Sequence, residues 1–261
     1  MRPANGGDAA MSAQNFRWQP RETLLQEWMS QQYCIPFWLA GKALGIRSTQ
    51  VYEIMRRLKL AGRIHVTRID IGSPGLWHKS KHFDAPDTVP YGPLWAYMAR
   101  ETAWGYLGFD PGEWEPRAST AAHLTAVSEL RLAVTGMDTD PEVWTSERLL
   151  RRMLKDERGQ LVSHLHDAWY RDAADPDKVW AVEVELTRKF GAGRLLRSVS
   201  AALAAADQHD LAGVLYFVRG EGLRRAIESV RDQIARDRGV EQLDNFEIHD
   251  LDVTLSRKGV A

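Results

Sequence analysis

The segment Trp180-Ala181-Val182-Glu183-Val184-Glu185-Leu186-Thr187 constrains the fold more than any other. Its alternation is that of a β-strand. Side chains two apart share a face, so Val182, Val184 and Leu186 form one face and Ala181, Glu183 and Glu185 the other. The valine face must be buried against a helix or a second sheet. The other face must find company for two like charges: solvent, arginines such as Arg148 or Arg171, or a metal ion.

The preceding apolar run, Leu161 to Arg171, reads as a partner strand, with Asp172-Ala173-Ala174-Asp175-Pro176-Asp177 as the turn of a hairpin. It carries Ser163-His164-Leu165-His166-Asp167-Ala168. Two registers are open. One sets Glu183 opposite His166 and Glu185 opposite His164, a nitrogen and oxygen set suited to a transition metal. The other, one residue away, sets Asp167 opposite Glu183, an oxygen set suited to Mg²⁺ or Mn²⁺. Such an ion beside a phosphodiester polarises a phosphate oxygen and helps generate the attacking hydroxide. Lys189, reaching back from the next helix, is the candidate to orient water, and Arg188, Arg194 and Arg197 are candidates to hold a phosphate backbone.

The pattern around this hairpin is α/β. Ala121–Val134 reads as a helix and Val143–Met153 as either strand or helix. Gly193–Ala205 is helical, Leu211–Val218 is a buried strand, Glu221–Asp237 is an amphipathic helix, and Phe246–Val253 is a last strand. Residues 120–261 are therefore expected to form one domain, a mixed sheet flanked by helices.

Residues 19–83 read differently. Leu24, Leu25, Trp28 and Met29 give one helical face. A short second helix opens at Pro36 and ends at Leu44. The turn Gly45-Ile46-Arg47-Ser48-Thr49 leads into a third helix, Gln50–Leu60, striped by Val51, Ile54, Met55 and Leu58. Arg63–Arg68 alternates as a half-exposed strand, and Leu76–Lys79 begins its return after a Gly-Ser-Pro-Gly turn. This α+β succession resembles a winged helix-turn-helix. Positions 41–83 hold nine Lys or Arg against two Asp or Glu, a surplus of seven positive charges in a chain whose net charge is −1. Local cationic segregation of this kind suits phosphate neutralisation on double-stranded DNA. The outward residues expected to meet DNA are Arg47, Thr49, Gln50, Tyr52, Arg56, Arg57, Lys59, Arg63 and Lys79. Residues 84–119, rich in proline and aromatics, are expected to form an ordered linker with a helix over Leu94–Tyr106. Residues 1–18 are expected to be disordered.

The order of Ala122-His123-Leu124, Ser128-Glu129-Leu130-Arg131-Leu132, Trp144-Thr145-Ser146-Glu147-Arg148, His166-Asp167-Ala168 and Ala181–Lys189 resembles the replication-relaxation family of actinobacterial plasmids and mobile elements. That family couples a winged helix-turn-helix to a PD-(D/E)XK nuclease-like domain. The resemblance implies a DNA-binding protein that cleaves or nicks DNA with Mg²⁺ or Mn²⁺. It places Asp167 as the acidic residue before the spacer and Glu183 as first metal ligand, with Glu129, or alternatively Glu147, as an additional acid. Two departures stand out: Glu185 occupies the position of the lysine, and His166 replaces the proline before Asp167. The alternative expectation is a non-catalytic regulator or replication accessory protein, whose α/β domain serves dimerisation or partner contacts.

Composition limits other classes. The single cysteine, Cys34, rules out an intrachain disulfide and a cysteine-rich zinc site. The longest apolar stretch is too short to span a bilayer and the first residues lack a signal peptide's apolar core, so a cytoplasmic protein with no membrane partner is expected. A homodimer is left open.

Overall fold

The computed structural model describes residues 18–69, 92–187 and 193–256. The expected return strand with Lys79, and Arg188 and Lys189, lie outside the described residues. The described residues form, in order, α1 Pro20–Gln32, β1 Cys34–Pro36, α2 Phe37–Leu44, α3 Ser48–Leu60, β2 Ile64–Arg68, β3 Leu94–Met98, α4 Arg100–Leu107, α5 Ala118–Thr135, β4 Trp144–Ser146, α6 Glu147–Met153, β5 Ala168–Arg171, β6 Val179–Glu185, α7 Arg194–Gln208, β7 Gly213–Val218, α8 Glu221–Arg238, β8 Phe246–Asp250 and α9 Leu251–Ser256. No helix among them is long and apolar enough to cross a membrane.

The first six elements pack three helices on a three-stranded antiparallel sheet of order β1-β3-β2. Gly45 ends α2 in the left-handed region, φ 62°, a conformation open to glycine, and after Ile46 and Arg47 α3 begins. The α3 stripe is buried as its spacing requires: Val51, Ile54, Met55 and Leu58 join Leu25, Trp28, Met29 and Leu39 in one core. The expected helix over Leu94–Tyr106 divides in two. Leu94–Met98 is the central strand, paired with both β1 and β2, and the helix starts only at Arg100. Alternative pairing partners far away in sequence decide this run for strand, which local periodicity does not reveal. Leu94–Met98 of the expected linker thus belongs to the N-terminal sheet, and α4 adds Ala103, Tyr106 and Leu107 to its core.

The remaining elements build a mixed five-stranded sheet, β4-β5-β6-β7-β8. The first three strands are antiparallel, and β6, β7 and β8 run parallel. One face packs on α7 and α8 through Ala181, Val199, Leu203, Val214, Tyr216 and Ile227. The other packs on α5 and α9 through Val127, Leu130, Val182, Val184, Phe217 and Leu251. Val143–Met153 holds both a strand and a helix, and Phe246–Val253 ends as a strand at Asp250 before α9. Gly213 opens β7 against Asn245, where an added Cβ would lie 2.1 Å from the Asn245 carbonyl oxygen.

Buried polar groups fix the two units to each other. Arg131 of α5 is fully buried and donates to Gln31 Oε1 at 2.6 Å, Gln32 Oε1 at 3.3 Å and the Asp138 carbonyl at 2.8 Å. Its guanidinium lies 5.3 Å from the Trp28 ring centre. Burial pulls its pKa down to about 9, against the pull of Asp138. Ser146 Oγ donates to the Gln31 carbonyl at 2.8 Å, and Arg148 to the Ser30 carbonyl at 2.9 Å. These partners explain why α1 buries Ser30, Gln31 and Gln32 along with its apolar residues.

Candidate functional site

The β5–β6 pairing sets Ala168 opposite Val182 and Trp169 opposite Ala181, the register that would set Asp167 opposite Glu183, although its carboxylate turns to His123 of α5 instead. The strand is shorter than expected. β5 starts at Ala168, so Asp167 is the first residue beyond its end. Its N–H still donates to the Val182 carbonyl at 3.1 Å. Its carboxylate then takes the place of the missing strand: Oδ2 accepts the Val184 N–H at 2.7 Å. Oδ1 meets His123 Nε2 of α5 at 2.9 Å. Asp167 therefore closes the sheet edge between the two glutamates of β6.

Upstream of Asp167 the chain folds over the α7 face. His166 is fully buried; its Nε2 donates to the Ala202 carbonyl of α7 at 3.0 Å, and its Nδ1 accepts the Trp169 indole N–H at 3.1 Å. His164 Nε2 lies 2.8 Å from Glu183 Oε1. The result combines both expectations. The register is that of the Asp167 reading, while the cluster brought together is His164, His166 and Glu183, with one donor atom from each within 4.8 Å of the others.

Glu183 and Glu185 do share a face with Ala181, and each is only 9% exposed, so neither is a solvated surface carboxylate. Tyr216 of β7 stands directly across from Glu183. Its hydroxyl is buried without a hydrogen-bond partner among the described residues. Burial first, then the charges of Glu183, Glu185 and Asp167, push its pKa well above the usual phenol range. His166 goes the other way: burial lowers it to about 4, with His164 adding to the effect, so its ring is neutral near pH 7. His123 is raised to about 9. Burial opposes the charge, but the Asp167 hydrogen bond and the charges of Asp167, Glu147 and Glu183 outweigh it.

Glu129 does not join this group. Burial raises its pKa, and the charges it feels are those of Lys42, Arg219 and Asp252, away from the β5–β6 edge. The alternative acid, Glu147, is the one near Asp167. Its N–H donates to the Asp167 carbonyl at 3.0 Å, and both side chains line a small cavity with His123 and Tyr33. Glu147 is bound by Arg151 at 2.5 Å. Tyr33 holds a left-handed φ of 72° with ψ −54°, a conformation that costs a bulky residue on the order of 1–3 kcal/mol.

The donor chemistry tests the expected cation. Mg²⁺ takes oxygen ligands in a near-octahedral set. The compact group among the described residues offers two imidazoles and one carboxylate, which suits a transition ion such as Mn²⁺ or Zn²⁺ better. Even there, His166 has both ring nitrogens engaged and must release Trp169 to ligate through Nδ1. Mg²⁺ held by Asp167, Glu183 and Glu129 does not fit the arrangement.

The expected DNA-facing residues divide as well. Arg47, Thr49, Gln50, Tyr52, Arg56 and Lys59 are exposed along α3 and its N-terminus. Arg57 turns inward to an ion pair with the fully buried Glu22 at 3.0 Å. Arg63 donates to Gln26 Oε1 at 2.9 Å, and both thereby serve α1. Arg148 and Arg171 do not pair with the glutamates: Arg148 binds Ser30, and Arg171 binds the Glu142 and Pro176 carbonyls. The sequence reading missed His123 as a partner of Asp167 and Tyr216 as a neighbour of Glu183. His123 on the buried stripe of an apolar helix was the available signal for the first. No protein-family model, curated protein or solved structure matches the chain.

Proposed function

We propose that the chain is a DNA-binding protein of a bacterial plasmid, phage or mobile element. In this reading the N-terminal unit is a winged helix-turn-helix that docks α3 on duplex DNA, and the nuclease-like α/β unit acts beside it. The observation that carries the reading is the solvent face of α3. Thr49, Tyr52, Arg56 and Lys59 stand exposed in one row, while the opposite stripe is fully in the core. A helix of 13 residues is about 20 Å long, enough to lie in a major groove about 12 Å wide. Arg56 pairs with Glu53 at 2.9 Å, but both side chains are more than half exposed, so a phosphate competes easily for the guanidinium. The test is a titration of fluorescent duplex DNA with the full chain. Arg56→Glu with Lys59→Glu is expected to weaken binding at least about tenfold through lost phosphate neutralisation. Unchanged affinity would remove the reading.

Cleavage is a second reading, favoured by the group of His164, His166 and Glu183 where β5 ends, with Asp167 held beside it by His123 and the Val184 N–H. His164 and Glu183, with His166 once freed from Trp169, would hold a transition ion. Such an ion supplies Lewis-acid activation of a phosphate oxygen and of water. The chain's own contribution is to fix Glu183 through His164 and to anchor Asp167 on Val184 and His123. Supercoiled plasmid nicked with Mn²⁺, and spared by Glu183→Ala, is the expected result. Plasmid left intact in Mn²⁺, Mg²⁺ and Zn²⁺ would leave only the non-catalytic alternative.

A further inference from the structure

Two clefts meet along the seam between the N-terminal and α/β units. One, of about 420 Å³, lies between Tyr33, Phe109, Trp114 and the basic side of α6. The other, of about 630 Å³, reaches His65 of β2 and Tyr97 of β3. Trp114, Thr120 and Arg148 line both, so the two form one groove.

Aromatic rings follow the groove in series. His65 and Tyr97 have centroids 5.1 Å apart, Tyr97 and Trp114 6.1 Å, and Trp114 and Tyr33 5.0 Å. Cations accompany them. The Arg148 guanidinium sits 4.9 Å from the Tyr33 ring centre, and that of Arg152 sits 5.9 Å from Phe109.

The charge of the groove is not balanced from within. Arg148 is 7% exposed; it donates to the Ser30 carbonyl, but its Nε is buried without a partner and no carboxylate among the described residues pairs with it. A buried cation lacking a counter-charge is costly, and an anion seated beside it relieves the cost. Arg152 and Lys155 are exposed and form no ion pair among the described residues. Of the acids, Asp110 and Glu113 bind Arg100 and Glu147 binds Arg151, which leaves Glu115 beside Tyr97 against Arg148, Arg152 and Lys155.

We propose that this groove binds a single-stranded segment of nucleic acid. Its bases stack on the Tyr97, Trp114 and Tyr33 series, and its phosphates meet Arg148, Arg152 and Lys155. Interleaved rings and cations are what an unpaired strand needs, since each base offers a π-face and each linkage a charge. A duplex keeps its bases stacked on one another and makes no use of the rings, and an acidic peptide needs only the cations. The proposal goes beyond the duplex-docking reading of α3, since none of the groove's lining residues lies on that helix.

The experiment is fluorescence anisotropy with labelled oligothymidine and with labelled duplex, on the full chain. Arg152→Glu with Lys155→Glu is expected to weaken oligothymidine at least about tenfold and duplex less than about threefold, because α3 carries the duplex contacts. Arg56→Glu with Lys59→Glu is expected to do the reverse. Trp114→Leu, checked for an unchanged melting curve, is expected to weaken oligothymidine alone. Oligothymidine binding indifferent to Arg152→Glu with Lys155→Glu would overturn the groove while leaving the α3 reading intact. Displacement by polyglutamate as effective as by unlabelled oligothymidine would also overturn it, since charge alone would then be read. If duplex affinity ignores the α3 reversals while oligothymidine is lost with the groove reversals, the reading of α3 fails and the groove stands.

Discussion

His123 Nε2 and Asp167 Oδ1 lie 2.9 Å apart, joining the first helix of the α/β unit to the edge of its sheet. The pair holds His123 protonated to about pH 9, above the value near 6.5 of the unfolded chain. Its contribution to stability is therefore complete below about pH 6.5 and is lost as pH rises through about 9. Urea unfolding across pH 6–10 should show this decline in the wild type and a flatter profile in His123→Gln. Identical profiles would contradict the assignment.

His166 predicts the opposite slope. Its folded pKa of about 4 lies below the unfolded value, so its neutral form stabilises fully above about pH 6.5 and progressively less as pH falls toward 4. For a ring buried completely this amounts to roughly 3 kcal/mol. His166→Gln should reduce the loss of stability between pH 7 and 4.5, measured by chemical denaturation. A variant that loses as much as the wild type would place the titrating group elsewhere.

Arg57 is predicted to matter for folding more than for DNA. Removing it by Arg57→Ala leaves the fully buried Glu22 without its cation, at a cost of about 3 kcal/mol. The midpoint of thermal unfolding should fall sharply. Arg56→Ala, exposed on the same helix, should change it little. Equal effects from the two substitutions would refute the inward placement of Arg57.

The Trp169 indole controls whether His166 offers a lone pair. Trp169→Phe removes the N–H that Nδ1 accepts, and should raise affinity for Mn²⁺ or Zn²⁺ by about tenfold, the usual scale of effects from groups behind a ligand. Calorimetric titration measures this directly. No gain would mean that His166 is a structural histidine and nothing more.

The parts of the fold legible in the sequence are those whose spacing is local. The α3 stripe of Val51, Ile54, Met55 and Leu58, and the alternating faces of β6, follow from periods of 3.6 and 2. What spacing did not reveal depends on distant partners. Leu94–Met98 becomes a strand because β1 and β2 flank it. Leu161–Asp167 leaves the strand because His166 finds a carbonyl on α7. The site followed the same rule. The same-side placement of Glu183 and Glu185 was readable, but the expected pairs Glu183–His166 and Glu185–His164 do not form, and Glu183 meets His164 instead. Preference for Glu147 over Glu129 was not, because it needs the β4–β5 pairing that carries Glu147 to Asp167. Arg57 and Arg63 likewise look outward until α1 supplies Glu22 and Gln26.

The salt dependence of duplex binding tests the central claim most directly. If Arg56 and Lys59 each neutralise a DNA phosphate, the slope of log affinity against log salt for Arg56→Ala with Lys59→Ala should be shallower than the wild type's by about 2. An unaltered slope, or duplex affinity independent of salt in the wild type, would contradict the docking of α3 on DNA.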